Sequence, residues 1–221
     1  MRIIAGEHRG RRIEVPPGEG TRPMLDRVRE SVFATLGNLV EDARVLDLFC
    51  GGGSLGLEAL SRGALAARFV EKDAQAYATL KRNLAELGHG PERAAPVRGN
   101  ALLPASWTAA EAPLGKPPPA EQRAAAGLEG LDLVFLDPPF AVYDDPAARA
   151  KLLAAVEALI AGPLRPGAAL VVHAPARALE TVRLRGAPRT DLRRYGTSSC
   201  LYVFPAVRAA SDGAPAVAES P

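Results

Sequence analysis

Apolar positions in this chain fall into segments of two different periods. Leu131-Asp132-Leu133-Val134-Phe135-Leu136 holds five apolar residues in six and stops at Asp137-Pro138-Pro139-Phe140. A near-continuous apolar run closed by a double proline, which cannot continue a β ladder, predicts a buried strand ending at a rigid corner. Residues 44–49 and 66–70 read the same way, and residues 95–98 predict another strand. Elsewhere the period is helical. Leu25, Val28, Val32, Phe33 and Leu36 share a stripe, with Asp26 placed to cap its start and Gly37 to end it. Tyr77, Leu80, Leu84 and Leu87 form a second stripe between a capping Asp73 and Gly88, and Leu152, Leu153, Val156, Leu159 and Ile160 form a third over residues 146–161.

Strands alternating with helices predict an α/β fold with a mostly parallel sheet. The late β-prone runs, residues 168–173, 181–184 and 199–204, follow one another closely and predict an antiparallel edge. At the other end, residues 2–5 and 11–15 around Gly6-Glu7-His8-Arg9-Gly10 predict a hairpin. Residues 104–130, rich in Ala, Pro and Glu, predict an inserted loop or short helix that Trp107 could anchor. The tail from residue 206 is Ala, Pro, Ser and Gly with few bulky residues, and is expected to be disordered. The expected organisation is a basic N-terminal extension (1–40), one catalytic domain (41–205) and the tail (206–221).

Composition changes this picture at one end only. A chain of 221 residues, 48% hydrophobic and 24% charged, fits one domain with short additions. The formal net charge is only +2, but Arg2, Arg9, Arg11 and Arg12 face a single Glu7 in the first twelve residues. Arg22, Arg27 and Arg29 lie off the first helical stripe and are expected to extend that basic surface toward a polyanion. Cys50 and Cys200 give neither a disulfide framework nor a metal spacing, and no metal is expected. With no signal-like or membrane-length apolar run, the expected location is the cytoplasm and the default state a monomer.

The candidate chemistry sits at strand ends. Residues 44–49 run into Cys50-Gly51-Gly52-Gly53-Ser54-Leu55-Gly56 and then a helical pattern, the order of a nucleotide-cradling βα unit. Gly51, Gly53 and Gly56 satisfy G-x-G-x-x-G, which a dehydrogenase would share. Asp47 argues otherwise: a carboxylate before the loop repels a pyrophosphate but suits the ammonium of an amino-acid ligand such as S-adenosylmethionine. Glu71, ending the second strand, is placed to take two ribose hydroxyls. Asn100 ends the third, where its amide could meet an adenine edge or simply serve a turn. At the corner, the Asp137 carboxylate and Pro138 carbonyl can accept hydrogen bonds from one exocyclic amine, Pro139 stiffens the turn, and the Phe140 ring can stack on the plane carrying that amine.

Asp47, the glycine loop, Glu71 and Asp137-Pro138-Pro139-Phe140 together resemble a class I S-adenosylmethionine-dependent methyltransferase of the amino-methylating kind. The pieces Met1-Arg2-Ile3-Ile4-Ala5-Gly6, Arg9-Gly10-Arg11, Arg22-Pro23 and Asp26-Arg27-Val28-Arg29-Glu30, with Leu57-Glu58-Ala59-Leu60-Ser61-Arg62-Gly63, resemble the RsmD family of bacterial small-subunit (16S) ribosomal RNA guanine-N2 methyltransferases. That resemblance implies a Rossmann-like seven-stranded sheet and a cofactor set of Asp47, Phe49, Gly51, Gly53, Gly56, Glu71 and Asn100. It also implies catalysis at Asp137 to Phe140, and RNA, within an assembling or assembled small subunit, as partner of the basic arm. Met24 departs from the Thr usual in the family, and Cys-Gly-Gly-Gly-Ser from Ala-Gly-Ser-Gly-Ala. The Asp-Pro-Pro-Phe motif alone is also found in adenine-N6 DNA and glutamine-N5 protein methyltransferases, which stay open as alternatives.

Overall fold

The computed structural model describes residues 1–17, 24–108, 130–162, 164–187 and 189–205. After an arm at the N-terminus, the order is α1 (Asp26–Leu36), a 3-10 turn (Gly37–Val40), β1 (Arg44–Leu48), α2 (Ser54–Ser61), β2 (Ala66–Glu71), α3 (Ala74–Glu86), β3 (Ala94–Arg98), α4 (Ala105–Thr108), β4 (Leu131–Leu136), α5 (Ala141–Asp144), α6 (Pro146–Ala161), β5 (Leu164–Pro175), β6 (Arg189–Tyr195) and β7 (Ser198–Phe204).

The seven strands form one sheet in the order β3-β2-β1-β4-β5-β7-β6. The first five pair in parallel, and β7 runs antiparallel to both β5 and β6. The expected antiparallel strand is therefore β7, one position in from the edge. β1 has β2 on one side and β4 on the other, so the chain reverses its winding between β1 and β4. That reversal opens a crevice at the carboxyl ends of these two strands, where open α/β sheets bind ligands.

The central strands are buried on both faces, which is why their sequences read as predominantly apolar runs rather than alternating ones. On β4, Leu133 and Phe135 pack into one core with Phe69, Val171 and Tyr202, while Val134 and Leu136 pack into the other with Leu46, Val70 and α6. Ile3 and Ile13 of the arm and Val28, Val32 and Phe33 of α1 join the first core. Met24 is buried there too, so a non-polar residue at that position has a packing role. Trp107 is buried, donates from Nε1 to the Ala101 carbonyl (2.8 Å), and its own carbonyl accepts from Arg68. It fixes the chain just after β3, while residues 109–129 of the expected insertion lie outside the described residues, as does the tail from 206. Among the described residues no helix is long and apolar enough to cross a membrane.

Several local expectations are corrected. The arm pairs antiparallel as expected but over a shorter stretch: around the Arg2 to Arg12 bridge, the Ile3 amide donates to the Arg11 carbonyl (2.9 Å), the Gly10 amide to the Ile3 carbonyl (2.9 Å) and the Ile13 amide to the Met1 carbonyl (3.0 Å). Leu25, not Asp26, is the N-cap of α1, because the Asp26 carboxylate turns onto Arg29 (3.1 Å). Residues 181–184 form no strand; β6 is the charged segment Arg189–Tyr195 instead. Its side chains are exposed or half-buried, and charges on an edge strand discourage pairing with other chains while hiding the apolar alternation that sequence reading relies on.

Candidate active site

The carboxyl ends of β1, β2 and β4 open into one cavity of about 500 Å³. Phe49 and Gly51 line it from the glycine loop, Glu71 from the end of β2, and Asp137, Pro138, Pro139 and Phe140 from the end of β4. The arm closes another side through Glu14, Val15, Pro16 and Pro17. The volume lies within the range of small-molecule sites.

The loop is held in an unusual shape. Phe49, a non-glycine residue, adopts φ 58°, a left-handed conformation that costs of order 1–3 kcal/mol and marks a constrained position. Glu71 fixes the loop from outside: Oε2 accepts from the Gly51 amide (3.0 Å) and Oε1 from the Asp73 amide (2.8 Å). Asp73 in turn caps α3, accepting from Gln75 and Ala76, as its position predicts. Asn83, missed in the sequence because it falls among the polar residues of a helix, is wholly buried. It donates to the carbonyls of Gly52 (2.8 Å) and Glu14 (3.0 Å) and accepts from the Glu14 amide (2.8 Å), tying arm to loop.

Three of the expected cofactor residues support the loop without lining the cavity. Gly56 lies against Phe69, where a Cβ would come within 2.3 Å of the ring, and Gly53 starts α2 at φ 88° against Leu80. Their smallness serves helix packing rather than ligand approach. Asp47 is buried beneath them, its Oδ2 accepting from the Gly56 amide (2.8 Å) while Oδ1 has no partner among the described residues. Burial, with smaller contributions from Asp137 and Glu71, pushes its carboxyl up to about 8. Asn100 is exposed, and its Oδ1 accepts from the Leu102 amide (3.0 Å), so it serves the turn and stands apart from the cavity wall.

At the corner, Pro138 is buried and Phe140 exposed on the rim. Asp137 Oδ1 lies 2.7 Å from Nδ1 of His173 on β5, a buried histidine whose Nε2 has no partner among the described residues. The rings of His173 and Phe140 pack at 5.3 Å, and the Tyr143 hydroxyl donates to the His173 carbonyl (2.7 Å). His173 carried no motif in the sequence. The only signal was a polar residue in the apolar run of residues 168–173. Cys50 lines the cavity, but burial pushes its thiol well above the usual range, so it is not a ready nucleophile.

Among the basic residues, Arg2, Arg9, Arg11, Arg12 and Arg27 are exposed. Arg11 also donates to the Glu86 carbonyl (2.9 Å). Arg29 is the exception: wholly buried, it contacts Asp26 and Glu58 and donates to the Arg2 carbonyl, so it holds the arm rather than extending the basic surface. Arg22 lies outside the described residues.

Strand order, a crevice at the point of reversal and a glycine loop after β1 define the class I methyltransferase fold. Solved structures agree. The Escherichia coli protein yhhF is 30% identical with a TM-score of 0.67, covering 93% of this chain and 98% of that one. A Thermus thermophilus 16S rRNA methyltransferase solved with AdoMet and guanosine shares the fold at 18% identity, with a TM-score of 0.57, covering 85% of this chain and 44% of that one. The family model described as Conserved hypothetical protein 95 matches residues 1–113. Ribosomal RNA small subunit methyltransferase D of Escherichia coli K12 is 41% identical over 140 residues, 63% of this chain and 60% of that relative. The Haemophilus influenzae protein of the same name is 39% identical over 140 residues, 63% of this chain and 64% of that relative. The chain belongs to this family, the RsmD family, and its match spans less than two thirds of these curated relatives' length.

Proposed function

We propose that the protein is an S-adenosylmethionine-dependent methyltransferase acting on the exocyclic N2 amine of a guanine in 16S ribosomal RNA of the small subunit. The observation that carries this reading is that Glu71 and the glycine loop share one cavity with the Asp137-Pro138-Pro139-Phe140 corner. The relatives named ribosomal RNA small subunit methyltransferase D support RNA as the substrate.

The residues fit the cofactor. Glu71 presents a carboxylate to ribose hydroxyls, the Gly51 backbone allows close approach, and Phe49 supplies an apolar wall. Bound there, S-adenosylmethionine supplies an electrophilic methyl group. The guanine amine is a poor nucleophile because its lone pair is delocalised into the ring. Asp137 and the Pro138 carbonyl accept its two hydrogens, favour a more tetrahedral nitrogen and aim the lone pair, while proline holds the acceptors in place beforehand. Positioning of this kind supplies on the order of several kcal/mol. After transfer the nitrogen carries one proton too many, and Asp137 lies where it can take it. No covalent enzyme intermediate is required.

To enter the cavity the base leaves its stack and packs on Phe140. The exposed arginines of the arm and of α1 contact the phosphates, giving an affinity that falls with salt. The enzyme works as a cytoplasmic monomer on the assembling or assembled subunit. The test is transfer of labelled methyl from S-adenosylmethionine to small subunits lacking the modification, followed by digestion to nucleosides. Label in N2-methylguanosine is expected; label accepted only by DNA adenine or by a protein glutamine would replace the substrate assignment.

A further inference from the structure

The start of the arm and the end of α3 bring Glu7, His8 and His89 together, and none of the three lines the cavity. One carboxylate oxygen and one ring nitrogen from each histidine all lie within 4.8 Å of one another. The His8 Nε2 to Glu7 Oε1 distance is 3.4 Å. That is long for a hydrogen bond but close to the edge, about 3.3 Å, of a tetrahedron built with zinc–nitrogen bonds of about 2.0–2.1 Å. The two imidazoles meet edge to face, with centroids 5.0 Å apart.

The backbones carrying these groups are held by independent anchors. The Glu7 amide donates to the Ser61 carbonyl (2.7 Å) and the His8 amide to Ser61 Oγ (3.0 Å), both at the last residue of α2. His89 follows the glycine that ends α3: the Gly88 amide donates to the Ala85 carbonyl (3.1 Å) and the His89 amide to the Leu84 carbonyl (2.9 Å). This 5→2 and 6→1 pair is a Schellman stop, which fixes the direction of the residue after the glycine. The histidines are therefore presented by rigid elements, as a metal site requires.

His89 supplies the observation that points to a ligand. Its Nε2 is buried and has no hydrogen-bond partner among the described residues. A buried nitrogen of this kind ordinarily finds a partner.

We propose that Glu7, His8 and His89 form a binding site for a divalent transition-metal ion of the zinc class, with water in the fourth position. Two imidazoles and one carboxylate are a donor set suited to such ions rather than to calcium or magnesium. Arg93 opposes the ion: its guanidinium lies 3.0 Å from Glu7 Oε1. It is also anchored to the carbonyls of Leu60 and Ala64. Oε1 keeps a second lone pair, so the same oxygen can accept from the guanidinium and bind the metal, and Glu92 supplies compensating negative charge near His89. With Arg93 present, a micromolar rather than nanomolar dissociation constant is expected. The consequence is a clamp joining the arm, which closes one side of the cavity, to the end of α3.

The test uses the full-length untagged chain after dialysis against a chelator. Zinc titrated by calorimetry is expected to bind one ion per chain in the micromolar range. At about a hundredfold excess over the dissociation constant it should raise the thermal midpoint by about 5 °C. Cobalt is expected to give the visible absorption of a tetrahedral site. His89→Gln should weaken zinc binding at least tenfold and His8→Ala with His89→Ala should abolish it, while Glu92→Gln keeps one ion per chain. No saturation below millimolar zinc, or undiminished binding in the double variant, overturns the proposal. Should the double variant fold poorly, ring resonances of His8 and His89 in the wild type that do not respond to zinc overturn it equally.

Discussion

His173 Nδ1 lies 2.7 Å from Asp137 Oδ1, and the same imidazole packs 5.3 Å from the ring of Phe140. One residue of β5 therefore braces both the carboxylate and the aromatic ring of the proposed catalytic corner. His173→Ala is expected to lower kcat by about tenfold or more, because small displacements of a positioning group are costly to rate. Cofactor affinity should hold, since His173 is not part of the cavity wall. His173→Asn, which keeps a donor near the Nδ1 position, should recover part of the loss. An unchanged kcat in the alanine variant would remove the brace from the account.

Glu58 and Arg29 are both wholly buried. Glu58 accepts from the amides of Ile4 (2.8 Å) and Ala5 (3.1 Å) and from Arg62 (2.7 Å), so it joins the arm to α2. Removing one member of a buried ion pair costs about 3–5 kcal/mol, because the other charge stays buried. Glu58→Ala and Arg29→Ala should each lower the thermal midpoint by about 10 °C. The double variant should lose less than the sum, since the residues share one network. Calorimetric melting of the three variants checks this.

Arg9 and Arg12 are exposed on the arm, whereas Arg11 is partly engaged by the Glu86 carbonyl. The double variant Arg9→Ala, Arg12→Ala is expected to weaken RNA binding without changing fold stability. Each lost phosphate contact lowers the slope of log K against log salt by about 0.7–0.9, so a decrease of about 1.5 is expected. Filter binding over a salt series measures it; an unchanged slope would place the RNA elsewhere.

Asp47 gives a pH dependence. Its carboxyl is pushed from an ordinary 3.8 to about 8, first by burial and then by Asp137 and Glu71. Between about pH 4 and 8 the unfolded chain has lost this proton while the folded chain retains it, so this group lowers stability as pH rises, with levelling above about 8. Asp47→Asn keeps an acceptor for the Gly56 amide and carries no charge. The variant should melt about 5 °C higher than wild type at pH 8, with little difference at pH 4. Parallel melting curves across that range would contradict the buried carboxyl.

Much of this was readable from residue order. The parallel strands are buried on both faces, so β4 and β1 appear as short, mostly apolar runs, each broken inside by one aspartate, Asp132 or Asp47. Asp73 and Gly88 bound α3 by local hydrogen-bonding chemistry that depends on few neighbours. That Glu71 and the Asp137-Pro138-Pro139-Phe140 corner share one cavity was legible because strand ends open onto the crevice in this architecture. Arg29 was misread because a charged side chain off an apolar stripe normally faces water; here Asp26 and Glu58 compensate it, a pairing set by the arm's path. β6 was missed because its charges mask the alternation. His173 and Asn83 were missed because their partners lie 36 and 69 residues away in sequence, and only the sheet and the arm bring them together.

The central claim is that the Asp137 corner presents a guanine amine for methylation. Single-turnover transfer of labelled methyl to small subunits lacking the modification, comparing wild type with Asp137→Ala at saturating cofactor, tests it most directly. The account predicts label in N2-methylguanosine for the wild type and a loss of at least about a hundredfold in the variant, with cofactor binding retained. Equal rates in the two proteins, or label in any other nucleoside, would contradict it.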